Sequence, residues 1–272
     1  MSEEITKTYL KEKQYSTTKN LEARIKIHTF TTNKYSFHEW IFKKYKLDSF
    51  KDKEIKVLDV GCGTGVFWKK NLENFKSFNL DITFTDFTEA MLEKEKTNTS
   101  DLKAKKKYEI ADVENLDKYK GLFDIVMCHN VIYHADDKDK AINNLRNCLN
   151  DKNESFCSIT TNSEKHMLNV YEIGRKLDKN FPTDRIIDSF TEEVADVLLK
   201  KHFKVDKIIE EEELKVTDWD TLRGFVASGV EPRGIKLVDN FYEEYKSIYD
   251  SEVTEKGHFS IIKRSPLYIC KK

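Results

Sequence analysis

The sequence contains no C-x-x-C pair, and its five cysteines (Cys62, Cys128, Cys148, Cys157 and Cys270) are odd in number. That excludes a disulfide framework or a zinc-knuckle scaffold and suits a reducing compartment. No run approaches the roughly 20 apolar residues that cross a bilayer. The opening MSEEITKTYLKEKQ lacks the apolar segment of a signal peptide. The expected location is therefore the cytoplasm, with no membrane partner. Charge of one sign is also missing: 47 basic against 48 acidic side chains leave a net −1. Without a global field toward polyanions, nucleic acid is not an expected partner. Repeats and low-complexity linkers are absent, and the scarcity of glycine and proline reads as compositional bias.

What is present is enough for a sizeable core, with 39% apolar and 12% aromatic residues. A length of 272 residues is within reach of a single α/β domain carrying insertions. The first fifty residues read as helical. Leu21, Ile25 and His28 share one face, and Phe37, Trp40, Ile41 and Tyr45 form a second stripe. The period then changes, and Ile55, Val57, Leu58 and Val60 make a short buried strand.

Strands are expected near 55–60, 79–86, 107–112, 123–129, 155–161, 204–216 and 258–270. Helices are expected near 64–74, 88–97, 138–149 and 191–203. Their alternation predicts a doubly wound, mostly parallel sheet of seven strands with helices on both faces. Residues 163–190 and 217–257 exceed what that sheet needs and read as helical insertions within one domain, 1–272. Residues 51–162 would form the ligand-binding core and 1–50 an N-terminal lid. The Lys103–Lys107 cluster reads as a solvated face.

The densest chemical signal is Val57-Leu58-Asp59-Val60-Gly61-Cys62-Gly63-Thr64-Gly65. A strand runs into a glycine-rich turn and then a helix. Gly61, Gly63 and Gly65 let the backbone approach a ligand and adopt positive φ, and the helix start favours an electronegative group. Dinucleotide-binding dehydrogenases use G-x-G-x-x-G here. Counted from Gly61, the sixth position is Val66, so that pattern fails.

The run LDVGCGTG resembles motif I of the class I S-adenosylmethionine-dependent methyltransferases, and the likeness continues along the chain in order. It implies a Rossmann-like fold and S-adenosyl-L-methionine as cofactor. Asp59, Gly61, Cys62, Gly63 and Gly65 would belong to the cofactor site. Asp86, at the end of the second strand, would accept from both ribose hydroxyls. Phe87 and Met91 would pack near the adenine. Asp112 would accept from its exocyclic amine, and the Val113 backbone would meet a ring nitrogen. After Phe123-Asp124-Ile125-Val126, the polar residues His129, Asn130, Tyr133 and His134 would lie beside the cofactor. His134 and His129 are the candidate bases, with Tyr133 orienting. A capping or packing role for His134 remains an alternative. One departure is Asn150-Asp151-Lys152-Asn153, where many relatives carry Pro-Gly-Gly.

Tyr15 and Arg24 resemble the lid helix of bacterial small-molecule relatives, implying contact with the carboxylate end of cofactor or substrate. A structural ion pair is the competing reading for Arg24. No residue set suggests a metal. The absence of [DN]-P-P-[FYW] and of a Pro-Cys pair, with the balanced charge, favours a small-molecule acceptor. It would lie under an aromatic cap of Phe241, Tyr242, Tyr245 and Tyr249, unless those rings are ordinary core. Two alternatives stay open: a methyltransferase acting on RNA or protein, and a catalytically silent cofactor-binding partner subunit.

Overall fold

The computed structural model describes residues 24–182 and 186–272; Tyr15 and Leu21 lie outside them. The chain divides into two compact units. A sheet unit comprises Tyr35–Ser163, Ser189–Ile209 and Ser265–Lys272, and a helical unit comprises Met1–Lys34, Glu164–Asp188 and Glu210–Arg264. The stretch 1–50, expected as an N-terminal lid, does not fall within one unit. Its second half folds as helix α1 (Phe37–Lys44) in the sheet unit, because Ile41 and Tyr45 are buried among that unit's apolar side chains.

Seven strands form one sheet: β1 (Glu54–Val60), β2 (Asn79–Asp86), β3 (Lys105–Ile110), β4 (Ile125–His129), β5 (Phe156–Thr160), β6 (Lys204–Val216) and β7 (Phe259–Lys271). Their order is β3-β2-β1-β4-β5-β7-β6. Strands β1 to β5 pair in parallel, and β7 runs antiparallel to β5. The chain leaves β1 for β2 on one side and returns to β4 on the other, so the order reverses beside β1. In open sheets ligands sit at such a reversal, outside the carboxyl ends of the strands.

Alternation along the strands sorts the core onto two faces. Leu58, Val60, Val126, Cys128, Cys157 and Ile159 pack under α5 (Lys138–Cys148) and α7 (Glu192–His202). Ile55, Val57, Ile125, Met127 and Phe156 pack with α1, with the short α2 (Val66–Lys70) and α3 (Leu72–Phe75), and with α4 (Glu89–Asn98). The helix expected over 64–74 is broken. Asn71 is fully buried, and its Nδ2 donates to Phe67 O at 2.8 Å and His38 O at 3.1 Å. Strand β3 ends at Ile110, earlier than expected, so Asp112 lies in the following turn.

In the helical unit, α6 (Leu168–Leu177), α8 (Trp219–Val230) and α9 (Phe241–Lys256) lie in the stretches 163–190 and 217–257. Phe241, Tyr245 and Tyr249 are buried with Leu214, Leu222 and Phe259 in that unit's own core. Those three rings are core, and only Tyr242 is half-buried, under the Arg223 guanidinium. The buried Lys263–Glu212 ion pair, to which Thr31 also donates, joins three stretches of chain.

Candidate cofactor site

At the carboxyl end of β1 the glycine turn takes left-handed backbone at three positions: φ is +68° at Gly61, +57° at Gly63 and +72° at Gly65. The three differ in what surrounds them. A Cβ on Gly61 would lie 2.4 Å from Val131 Cγ2, and one on Gly65 would lie 1.8 Å from Glu95 Oε2. A Cβ on Gly63 would meet nothing within 4 Å. Gly61 and Gly65 are therefore needed for packing, whereas Gly63 fronts open space at the strand tip.

Asp86, the last residue of β2, is joined to this turn. Its Oδ2 accepts from Gly63 N at 3.1 Å, and its Oδ1 accepts from Thr88 N at 2.9 Å and Thr88 Oγ1 at 3.1 Å. Burial raises its pKa, and the Thr88 and Gly63 donors pull the other way. Oδ2, which accepts from Gly63 N, keeps acceptor capacity. Asp59 is buried and accepts from Trp68 Nε1 at 2.8 Å, clamping α2 to the strand. Desolvation raises it to about 7, the Trp68 bond opposes that, and Asp86 adds a smaller like-charge push.

Glu95, on α4 beneath Gly65, is fully buried, and neither carboxyl oxygen has a hydrogen-bond partner among the described residues. Burial lifts its pKa to about 9, aided by Asp59 and opposed by Lys106. It is a neutral acid at physiological pH. The sequence reading passed over it, although it falls four residues after Met91 on the buried side of α4. Cys62 is half-buried, its thiol pushed up chiefly by desolvation, and its Sγ donates to Gly63 O at 3.8 Å.

Past β3, Asp112 Oδ1 accepts from Glu114 N at 2.9 Å, closing an Asx turn. Val113 is buried, and its carbonyl accepts from Asn144 Nδ2 at 3.1 Å. Glu114 accepts from the Asp136 and Asp137 amides at 2.9 and 3.1 Å, a tie the sequence reading also missed. Phe87 is half-buried and Met91 buried, both next to the end of β2.

At the end of β4, His129 Nε2 lies 2.9 Å from Ser158 Oγ and 3.3 Å from Tyr45 Oη. Desolvation, then nearby His38, lowers its pKa to about 3. A ring so hard to protonate is a poor general base. Asn130 follows in left-handed backbone, φ +57°. His134 closes a 3-10 turn, half-buried, with its ring 4.5 Å from that of Tyr133. Tyr133 O accepts from Ser189 Oγ at 2.9 Å. Asp59, the three glycines, Cys62, Asp86, Asp112, Val113, His129 and His134 all belong to the sheet unit, at or just beyond the carboxyl ends of β1 to β4. Arg24 belongs to the helical unit, where Nε donates to Ser228 Oγ at 3.3 Å and an Nη to Ser228 O at 3.0 Å. Among the described residues Ser228 in α8 is the partner of Arg24, and no carboxylate there bonds it.

The reversal beside β1, the open space at Gly63 and the acid at the next strand tip all fall within residues 58–153, which match the family model described as Methyltransferase domain. Among curated relatives, a tRNA U34 carboxymethyltransferase of Campylobacter hominis is 30% identical over 183 residues, 60% of this chain and 57% of that protein. The chain thus spans little more than half of that relative's length. The fold is similar to a Bacillus halodurans C-125 protein provisionally named a methyltransferase (TM-score 0.59, 14% identity, 87% of this chain and 98% of that one). It is also similar to Haemonchus contortus phosphoethanolamine N-methyltransferase 2 in complex with S-adenosyl-L-methionine (TM-score 0.54, 17% identity, 97% and 59%). The side chains present fit that cofactor. Gly63 leaves open space where a Cβ would stand, and the Asp86 carboxyl keeps acceptor capacity toward hydroxyls.

Proposed function

We propose that the chain transfers a methyl group from S-adenosylmethionine to a small-molecule acceptor. The observation that carries this reading is the pairing of Gly63, open at positive φ, with Asp86 across the switch point. When bound, the cofactor supplies an electrophilic methyl on a sulfonium whose departure leaves a neutral thioether. The protein's part is alignment, worth several kcal/mol by proximity alone. In this reading Asp86 takes the ribose hydroxyls, and Asp112 with the Val113 backbone takes the adenine edge. Asp59 fixes the turn through Trp68. His134, with Tyr133 against its ring, holds the proton that a hydroxyl, thiol or ammonium acceptor gives up. His129 stays neutral and does not serve as base.

The small acceptor rests on the balanced charge and the missing base-stacking motif; the aromatic cap no longer supports it, because three of its four rings are core. RNA, disfavoured by the balanced charge and the missing motifs but kept open as an alternative, is the second reading because a 30% identical relative carries tRNA in its name. Calorimetry with S-adenosylmethionine and its demethylated product tests the cofactor. Asp86→Ala should weaken binding about tenfold or more, the loss of charged hydrogen bonds, and unchanged affinity would remove the ribose assignment. A labelled-methyl screen then separates acceptors. Transfer to RNA, with affinity that falls steeply with salt, would replace the small molecule.

A further inference from the structure

The end of β4 holds a hydrogen-bond chain that the methyl-transfer reading does not use. Tyr45 is buried, and its hydroxyl donates to Ser158 Oγ at 2.7 Å. Ser158, fully buried on β5, has one proton of its own to give. Its described neighbours able to accept are the Tyr45 oxygen, which is already donating to it, and His129 Nε2 at 2.9 Å. The proton therefore points at Nε2. A neutral imidazole that accepts at Nε2 carries its hydrogen on Nδ1, and Nδ1 bonds to no described residue.

The same strand edge has other unmet polar groups. Thr160 lies two residues past Ser158, on the same face of β5, and pairs with His129 in the sheet register. Its Oγ1 is buried without a hydrogen-bond partner among the described residues, as is Asn130 Oδ1, next to His129. Buried polar groups are normally satisfied. Two such atoms at adjacent strand tips, on the ligand side of an open sheet, mark a place where a polar ligand completes the bonding.

We propose that Tyr45 and Ser158 lock His129 in the tautomer protonated at Nδ1, making it a fixed, neutral hydrogen-bond donor that holds a carboxylate or carbonyl oxygen of the bound ligand. His129 is then a binding residue, and Tyr45 and Ser158 are positioning residues. The assignment of a ligand rests on the methyl-transfer reading; the tautomer does not. Around His129, the groups that titrate are His38 and Tyr45, from α1 and its end; Ser158 and Thr160 on β5 are neutral at all working pH.

The test begins with the full chain labelled with nitrogen-15, without ligand. Long-range proton–nitrogen correlation should show His129 protonated at Nδ1 and unprotonated at Nε2, unchanged from about pH 5.5 to 8, the range in which an ordinary histidine titrates. Protonation at Nε2, or titration within that range, would overturn the proposal. Ser158→Ala and Tyr45→Phe should each give a mixture of tautomers, whereas an unchanged spectrum in both would remove their positioning role.

The ligand arm uses His129→Asn, which keeps an N–H near the Nδ1 position, and His129→Gln, which places one near Nε2. His129→Asn should bind as the parent does. His129→Gln should lose about tenfold, the worth of one hydrogen bond to a charged group. Loss of S-adenosylmethionine affinity identifies the oxygen as the cofactor's, and a raised KM for the acceptor at unchanged cofactor affinity identifies it as the acceptor's. Equal behaviour of the two variants would overturn the ligand contact. Absence of S-adenosylmethionine binding by the parent would instead sink the methyl-transfer reading and leave the spectroscopic result standing.

Discussion

At the scale of single residues, the three glycines of the turn separate two demands that the sequence presents as one. Gly61→Ala drives a methyl into Val131 and should unfold the chain at markedly lower temperature. Gly63→Ala pays only the left-handed backbone penalty, about 1 kcal/mol, because its Cβ meets nothing. It should melt near the parent temperature yet lose cofactor affinity; a parent-like affinity would move the ligand away from Gly63. Glu95 governs a pH effect. Its folded pKa of about 9 stands far above the usual 4.5, so the native state keeps a proton that the unfolded chain has released. Stability from this group is fully present below about pH 4.5 and falls as pH rises toward 9. Thermal melts should show that fall in the parent and a flatter profile in Glu95→Gln, with the curves converging near pH 5. Parallel curves would assign the titration to another group. None of this was legible beforehand, since an acid four residues after Met91 reads as a surface charge until Gly65 is seen above it.

At the scale of elements, the sequence was a good guide where burial is periodic. The runs Ile55–Val60 and Asn79–Asp86 are strands because apolar side chains fill both faces of an inner sheet. Helix α5 begins where Asp137 caps it by accepting from Lys140 N at 2.9 Å. Periodicity misled at α2 and α3, where the apolar pattern continues but Asn71 turns its amide back onto Phe67 O and breaks the ladder. Asn71→Ala leaves two buried carbonyls without that donor. It should cost about 1–3 kcal/mol and lower the melting temperature by about 5 °C, measurable by calorimetry. A change below about 1 °C would mean the break is set elsewhere. The chain from Tyr45 to His129 was illegible for a different reason. Tyr45 and Ser158 are 113 residues apart, and Tyr45 alone looks like one more ring on an amphipathic stripe.

At the scale of the whole molecule, the stretch that matches the methyltransferase-domain model, residues 58–153, was readable from one motif and its order along the chain, whereas the division into two compact units was not. Charge pairs buried between distant stretches leave no local pattern. The Lys263–Glu212 pair, with Thr31 donating to it, is such a case. Lys263→Met alone strands a buried carboxylate and should cost about 3–5 kcal/mol, whereas the double change with Glu212→Met should recover most of it. Melting temperatures of the single and double variants check this, and a double variant as unstable as the single would refute it. The helical unit is drawn from three separate stretches, and β6 and β7 each carry residues of both units. No single excision can therefore release it. Exchange of Glu164–Asp188 and Glu210–Arg264 between homologues would nonetheless leave the stretch from Asp59 to Asp112 untouched, so the two units are free to diverge at independent rates.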